Sequence, residues 1–417
     1  VTASPAPAHP AQRRVLTVLV AAQVLSGAGL AAGITVGALL AQDMLGSTGL
    51  AGLPTALFTI GSAAAAVLIG RTSQRLGRRA GLAGGYAAGA AGALGVVAAA
   101  VAEAPALLFA ALFVYGAGSA TNLQARYAGA DLAAPGLRAR AVSTVLVATT
   151  LGAVAGPNLV TPLGDLARAW GIPPLAGPFI LAAAAYAAAA LVLWLLLRPD
   201  PLTTARALAA AHEAADTPDP GETGGGAADR RRLVLGAAVM VLVQLVMIAI
   251  MTMTPVHMTH HGHSVGAAGL VIAIHVGAMF LPSPLSGFLV DRYGAPPVAA
   301  AAGLTLVAAG LLAALAPPRS VPLLALALAL LGLGWSLGLV SGTAIVTDSV
   351  PLATRARTQG MVDVAIAVAG AGGGMASGPI VAAGGYTVLS LLGGVIALAI
   401  LPAVAYTARP RPAPGRG

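Results

Sequence analysis

Cysteine is absent from the 417 residues, which excludes both a disulfide framework and thiolate metal chemistry. Charged residues make up only 8% of the chain against 58% hydrophobic ones, more apolar surface than a soluble domain of this size can hide. Lysine is also missing, so all 22 basic residues are arginine; with the many alanines and glycines this points to a GC-rich bacterial genome. No phosphate-binding loop of the Walker type occurs, which excludes ATP hydrolysis as a driving force. The histidines have no partnered Ser, Cys or carboxylate, so no catalytic triad is available and the chain is not expected to be an enzyme.

What fills the sequence instead is long apolar runs. Eighteen or more apolar residues reach across roughly 30 Å of hydrocarbon, and such runs occur near 15–41, 50–70, 80–102, 105–122, 141–163, 174–197, 233–254, 265–290, 297–316, 321–346, 361–383 and 387–405. The expected fold is therefore an all-α membrane protein of twelve transmembrane helices. The first run is too long for a signal peptide and reads as the first span. The 54 glycines suit membrane helices that must approach closely without a hydrophobic force between them.

The formal charge of +9 would suggest nucleic acid in a soluble protein. Its placement says otherwise. With the N-terminus inside, every arginine except Arg168 and Arg319 falls on the cytoplasmic side. The positive-inside rule then sets both the even helix count and the orientation. The expected location is the bacterial cytoplasmic membrane, multi-pass, with both termini cytoplasmic. The lipid bilayer is the expected partner, with no nucleic acid, and the chain is expected to be a monomer.

The chain also repeats. At a constant offset, Gly70, Arg75 and Gly77 recur as Gly287, Arg292 and Gly294, while Asp131, Arg138 and Arg140 recur as Asp348, Arg355 and Arg357. The dipeptide Gly156-Pro157, preceded by Gly152, recurs as Gly378-Pro379, preceded by Gly374. Two related six-helix bundles follow, 15–198 and 232–408. A polar linker at 199–231, with one short surface helix near 202–215, joins them, and tails at 1–14 and 409–417 flank them.

Residues 70–79, GRTSQRLGRR, and residues 287–294, GFLVDRYG, resemble the loop signature of the major facilitator superfamily, between helices two and three and between eight and nine. The resemblance covers the whole chain and implies two bundles rocking about a site near mid-membrane. The glycines permit a tight turn against a neighbouring helix, and the Asp-Arg pair can make charge-assisted bonds across the gate. The first copy departs from the pattern, with Gln74 in place of Asp. Charge gating is therefore expected around Asp291 and Arg292 rather than around Gln74 and Arg75.

For the cargo, one region stands apart: five of the seven histidines and six of the nine methionines lie between residues 240 and 279. Met247 and Met251 share a face of the seventh span at i and i+4, as His275 and Met279 do on the eighth. Counted inward from the outer surface, Met247 and His275 come to the same depth, roughly 15 Å at the rise of an α-helix. Thioether and neutral imidazole suit Cu(I) and bind Mg, Ca or Mn poorly. The pairing of Met-x-x-x-Met with His-x-x-x-Met resembles the CcoA-like copper importers of the superfamily. That resemblance implies copper as the transported substrate, bound by Met247, Met251, His275 and Met279, imported for assembly of a copper-containing respiratory oxidase, with no resident cofactor. Outside these spans, His257, Met258, His260, His261 and His263 either collect copper before entry or form a solvated loop.

Other readings stay open. Asp363 is a candidate proton carrier, or else a partner of Arg355 or Arg357. Arg126 is expected to be an interfacial anchor. The Gly-x-x-x-Gly-Pro of the fifth span resembles the motif of proton-coupled drug antiporters, so a drug exporter or a riboflavin-type small-molecule transporter is the alternative, using polar groups such as Gln23, Asn122 and Gln124. A copper sensor that moves no metal is the third reading.

Overall fold

In hydrocarbon a backbone has only itself to bond to, so each long apolar run closes into a helix. A computed structural model describes residues 9–45, 53–215 and 226–408, with a few side chains inside those stretches outside the described set. Within them the chain is helical throughout, with no strand. The helices are α1 (Gln12–Leu45), α2 (Leu53–Leu76), α3 (Arg78–Val101), α4 (Pro105–Ala130), α5 (Arg138–Asn158), α6 (Val160–Ala169), α7 (Gly177–Leu196) and α8 (Pro201–Ala215), then α9 (Gly226–His260), α10 (Val265–Phe280), α11 (Ser283–Tyr293), α12 (Ala295–Leu315), α13 (Val321–Ser349), α14 (Arg355–Leu398) and α15 (Ile400–Ala408).

Among the described residues, nine segments are long and apolar enough to cross a bilayer by length and composition. One of these, Arg355–Tyr406, breaks at Gly385, whose φ of 80° leaves the helical region, and so makes two crossings. With α1 and the α5–α6 pair the count is twelve, six to each half. The eighth crossing is α10 followed by α11, interrupted at Leu281 and Pro282. The turns α2–α3 and α11–α12 both pivot on a glycine in the left-handed region, Gly77 at φ 94° and Gly294 at 89°, a conformation that strongly favours glycine.

Each half buries its own core. Leu19, Tyr86, Tyr115, Phe179 and Tyr186 anchor the first, Val243, Leu306, Leu331 and Val340 the second. The halves meet chiefly where α2 packs on α14 and α5 on α11. Since each half holds an even number of crossings, the N-terminal end of α1, the linker helix α8 and the start of α9 share one face. The gate turns lie on it too, and we call it the arginine-rich face. The helix α8 occupies the middle of the linker; residues 216–225, 1–8 and 409–417 lie outside the described residues.

Two expectations are corrected. The segment 255–264 read as an outer loop is helical as far as His260, because Pro255 removes one donor but holds a φ that suits the helix. Linker helix α8 is also docked rather than free. Asp200 accepts from Arg79 N at 2.7 Å, and Arg206 donates to the carbonyls of Gln74 at 2.9 Å and Leu352 at 3.3 Å.

Candidate functional site

The repeat predicts equivalent gate positions, and the structure shows what they do. Asp291, at the end of α11, accepts from the backbone N–H of Ala139 at 3.1 Å and Arg140 at 3.0 Å, at the start of α5 in the other half. Gln74, its counterpart on α2, accepts through Oε1 from Ala356 N at 2.8 Å and Arg357 N at 3.4 Å, at the start of α14. Each side chain thus satisfies the open donors of a helix N-terminus across the seam between halves. Gln74 does more: its amide donates to Leu352 O at 3.2 Å and Ala353 O at 2.6 Å. The expected charge pair does fall at the Asp291 copy, and the Gln74 copy joins the halves without charge, because an amide supplies both an acceptor for the helix end and donors for the loop before it. The ion partner of Asp291 is Arg140, at 3.7 Å; Arg75 and Arg292 are exposed.

Gly70 and Gly287 let the backbones close. A Cβ on Gly70 would stand 2.8 Å from Ala356 O, and one on Gly287 would stand 2.7 Å from Ala139 O. Around them sit Arg138 paired with Asp348 across the halves, and buried Arg78, which holds Asp131 at 2.8 Å and Gln359 of the other half at 2.5 Å. These cross-half bonds all lie toward the arginine-rich face, so the molecule is closed there.

Deeper in, Arg126 of α4 is fully buried and donates to Asp363 of α14 at 2.8 Å, to Thr343 at 3.0 Å and to the Tyr127 hydroxyl at 2.8 Å. Tyr127 donates in turn to Asp363 at 3.2 Å. The interfacial anchor expected at Arg126 is corrected: it is an ion pair joining the two halves, and Asp363 pairs with it rather than with Arg355 or Arg357. One signal in the sequence pointed here. Arg126 and Thr343 are 217 residues apart, the repeat offset, so equivalent positions meet where the halves join.

The candidate cargo residues lie in the second half. His275 is fully buried, and its Nδ1 lies 2.8 Å from Leu328 O on α13. A carbonyl only accepts, so Nδ1 carries the proton and Nε2 keeps its lone pair. That Nε2 is buried with no partner. Met247 and Met279 are buried in the same core, with half-buried Met251 packed against it. Register along α13 sets their level. Gly332 of α13 packs on the backbone of His275 and Met279. On the other side, Gly342 meets Met240, Gly338 meets Val243, and Trp335 donates to Gln244 at 2.7 Å. One and two further turns of antiparallel α9 bring Met247 and Met251 level with the stretch 328–335. Both Met/His pairs therefore flank one segment of α13, though α9 and α10 touch each other only lightly.

The outer histidines are spread along the end of α9 and the turn after it. His257 stacks on Tyr386 and lies 4.4 Å from the ring of His261, while His263 bonds the carbonyl of Pro318. Met258 is fully buried, and His260 is exposed. Among the described residues no three His, Cys, Asp or Glu side chains converge to hold a metal. The amides of Gln23, Asn122 and Gln124 all donate within the first half, that of Asn122 to Ser26 at 2.9 Å, while Gln124 Oε1 is buried with no partner. Gln23 donates to Asn122 O at 3.1 Å and Thr149 at 3.0 Å, and Gln124 to Ala66 O at 2.8 Å. The side chains of Gly156 and Pro157 lie outside the described residues; Gly152 packs on the backbone of α1 at Gly27 and Ala28.

Two six-helix halves closed over a buried ion pair define a multi-pass membrane transporter. The family model described as Major Facilitator Superfamily matches residues 18–266 and 235–417. An uncharacterized MFS-type transporter, YdeG of Bacillus subtilis (strain 168), is 55% identical over 400 residues, spanning 95% of this chain and 92% of the relative. The riboflavin transporter RfnT of Brucella anthropi is 32% identical over 404 residues, spanning 94% and 96%. Among solved structures, the human organic anion transporter MFSD10 superposes with a TM-score of 0.74 at 19% identity, over 95% of this chain and 100% of that one. The chain belongs to the major facilitator superfamily, whose members are transporters rather than enzymes.

Proposed function

We propose that the protein imports copper across the bacterial cytoplasmic membrane by alternating access, with the arginine-rich face in the cytoplasm. The observation that carries the cargo is His275. A backbone carbonyl fixes its tautomer and leaves a buried Nε2 lone pair without a partner, as in an oriented metal-ligating imidazole. A neutral set of His275, Met247, Met251 and Met279 binds and releases Cu(I) without stranding a carboxylate in hydrocarbon. The closed gate on the arginine-rich face makes this the state that loads from outside. Passage to the inward state must separate Arg126 from Asp363, and protonation of Asp363 removes the charge that opposes separation. A proton gradient is thereby coupled to the rocking step. The test is copper accumulation in cells carrying His275→Ala or Met247→Ala. Uptake should fall at least about tenfold in each, and wild-type uptake in both would remove copper as the cargo.

A second reading has its own support. RfnT is named a riboflavin transporter and is similar along nearly its whole length. At the same level of α13, Trp335 meets Phe280 edge-on at 5.5 Å beside Gln244, groups that suit a flat aromatic organic molecule. On this reading Trp335→Ala abolishes riboflavin uptake and excess copper leaves it unchanged.

A further inference from the structure

The geometry points to a binding site for the phosphate of an anionic phospholipid in the groove where α2 meets the start of α14. The groove, of about 850 Å³, has Arg71, Thr72 and Arg75 on one wall and Thr354 and Arg357 on the other. All three arginines are exposed, and among the described residues no carboxylate pairs with any of them. Leu68 and Leu76 also line the groove, 62% and 69% exposed, an apolar border on a membrane-spanning helix that suits acyl chains. Gln74 is spent on the gate, so it neither neutralises the arginines nor competes for an anion.

The mirror position in the other half shows that this charge is a departure from the common frame. There Arg140, the counterpart of Arg357, lies 3.7 Å from Asp291 and 4.9 Å from the centre of the Phe288 ring. In the α2 groove Gln74 stands for that aspartate and Arg71 for that phenylalanine. Two exchanges raise the unpaired arginines from one, Arg292, to three at the membrane surface, where each arginine attracts anionic lipid. Arginine also binds phosphate through paired N–H donors. The walls come from different halves, so the groove exists only while this face is closed. A lipid bound there holds the molecule in that state.

The site is tested by native mass spectrometry of the full chain in detergent with phosphatidylglycerol, phosphatidylcholine or inorganic phosphate added. The expected result is saturable binding of phosphatidylglycerol over phosphatidylcholine. It should weaken roughly tenfold or more in the variant Arg71→Gln/Arg75→Gln/Arg357→Gln, remain in Arg292→Gln, and resist millimolar phosphate. Gln74→Asp, which copies the carboxylate of the mirror seam, should also weaken it and serves if the triple variant does not fold. Undiminished affinity in the triple variant or in Gln74→Asp overturns the site, as does equal loss in Arg292→Gln. Displacement by inorganic phosphate overturns the lipid as its occupant.

Discussion

Gln74 and Asp291 occupy equivalent positions and cap equivalent helices, yet only one is charged. A carboxylate gains from the helix dipole; the amide compensates with two donated bonds to the loop before α14. Gln74→Ala should remove a cap worth about 0.5–2 kcal/mol and shift the molecule toward opening on the arginine-rich face. With no native cysteine, a single introduced one at Thr72 reports this without background, and its labelling should quicken several-fold. Arg126 and Asp363 obey a different balance. A buried pair contributes little net, but one partner left alone costs roughly 3–5 kcal/mol. Arg126→Ala should therefore lower thermal stability more than the double variant Arg126→Ala/Asp363→Ala does. Asp363→Asn keeps the size and an acceptor for Tyr127 but cannot exchange a proton. It should retain exchange of cargo between compartments and lose accumulation driven by a pH gradient; accumulation at the wild-type level would remove Asp363 as the coupling group.

At the scale of helices, closure depends on glycines at crossing points. Gly70→Leu should prevent α2 from seating on α14, since even a Cβ there stands 2.8 Å from Ala356 O. Gly84→Ala, with nothing within 4 Å of the added carbon, should leave transport unchanged, and uptake rates of the two variants check the contrast. The spans themselves were legible because apolar runs in a bilayer have one outcome. Their ends were less so. Pro255 looked like a loop and continues α9, whereas Leu281 and Pro282 break a run that looked continuous. Hydropathy does not register a helix that tolerates proline or one that pauses in the membrane. Nor could it show that Arg126 faces the partner half, since a charge at the end of a span has the same composition whether it anchors or pairs.

For the whole molecule, the repeat did reveal two halves, and the departures from it locate the chemistry. The gate is nearly symmetric; the Met/His pairs and Asp363 belong to the second half alone, and three unpaired arginines line the α2–α14 seam. A duplicated frame of this kind rocks between two closed ends, and cargo chemistry is set by what is not duplicated. The proposed cargo site lies at the level that Met247, Met251, His275 and Met279 share along α13. The most direct measurement is uptake into proteoliposomes holding the purified protein, with Cu(I) kept reduced, zinc and riboflavin offered side by side. The expected result is pH-gradient-driven accumulation of copper alone, abolished in His275→Ala. Accumulation of riboflavin without copper, undisturbed by His275→Ala, would contradict it.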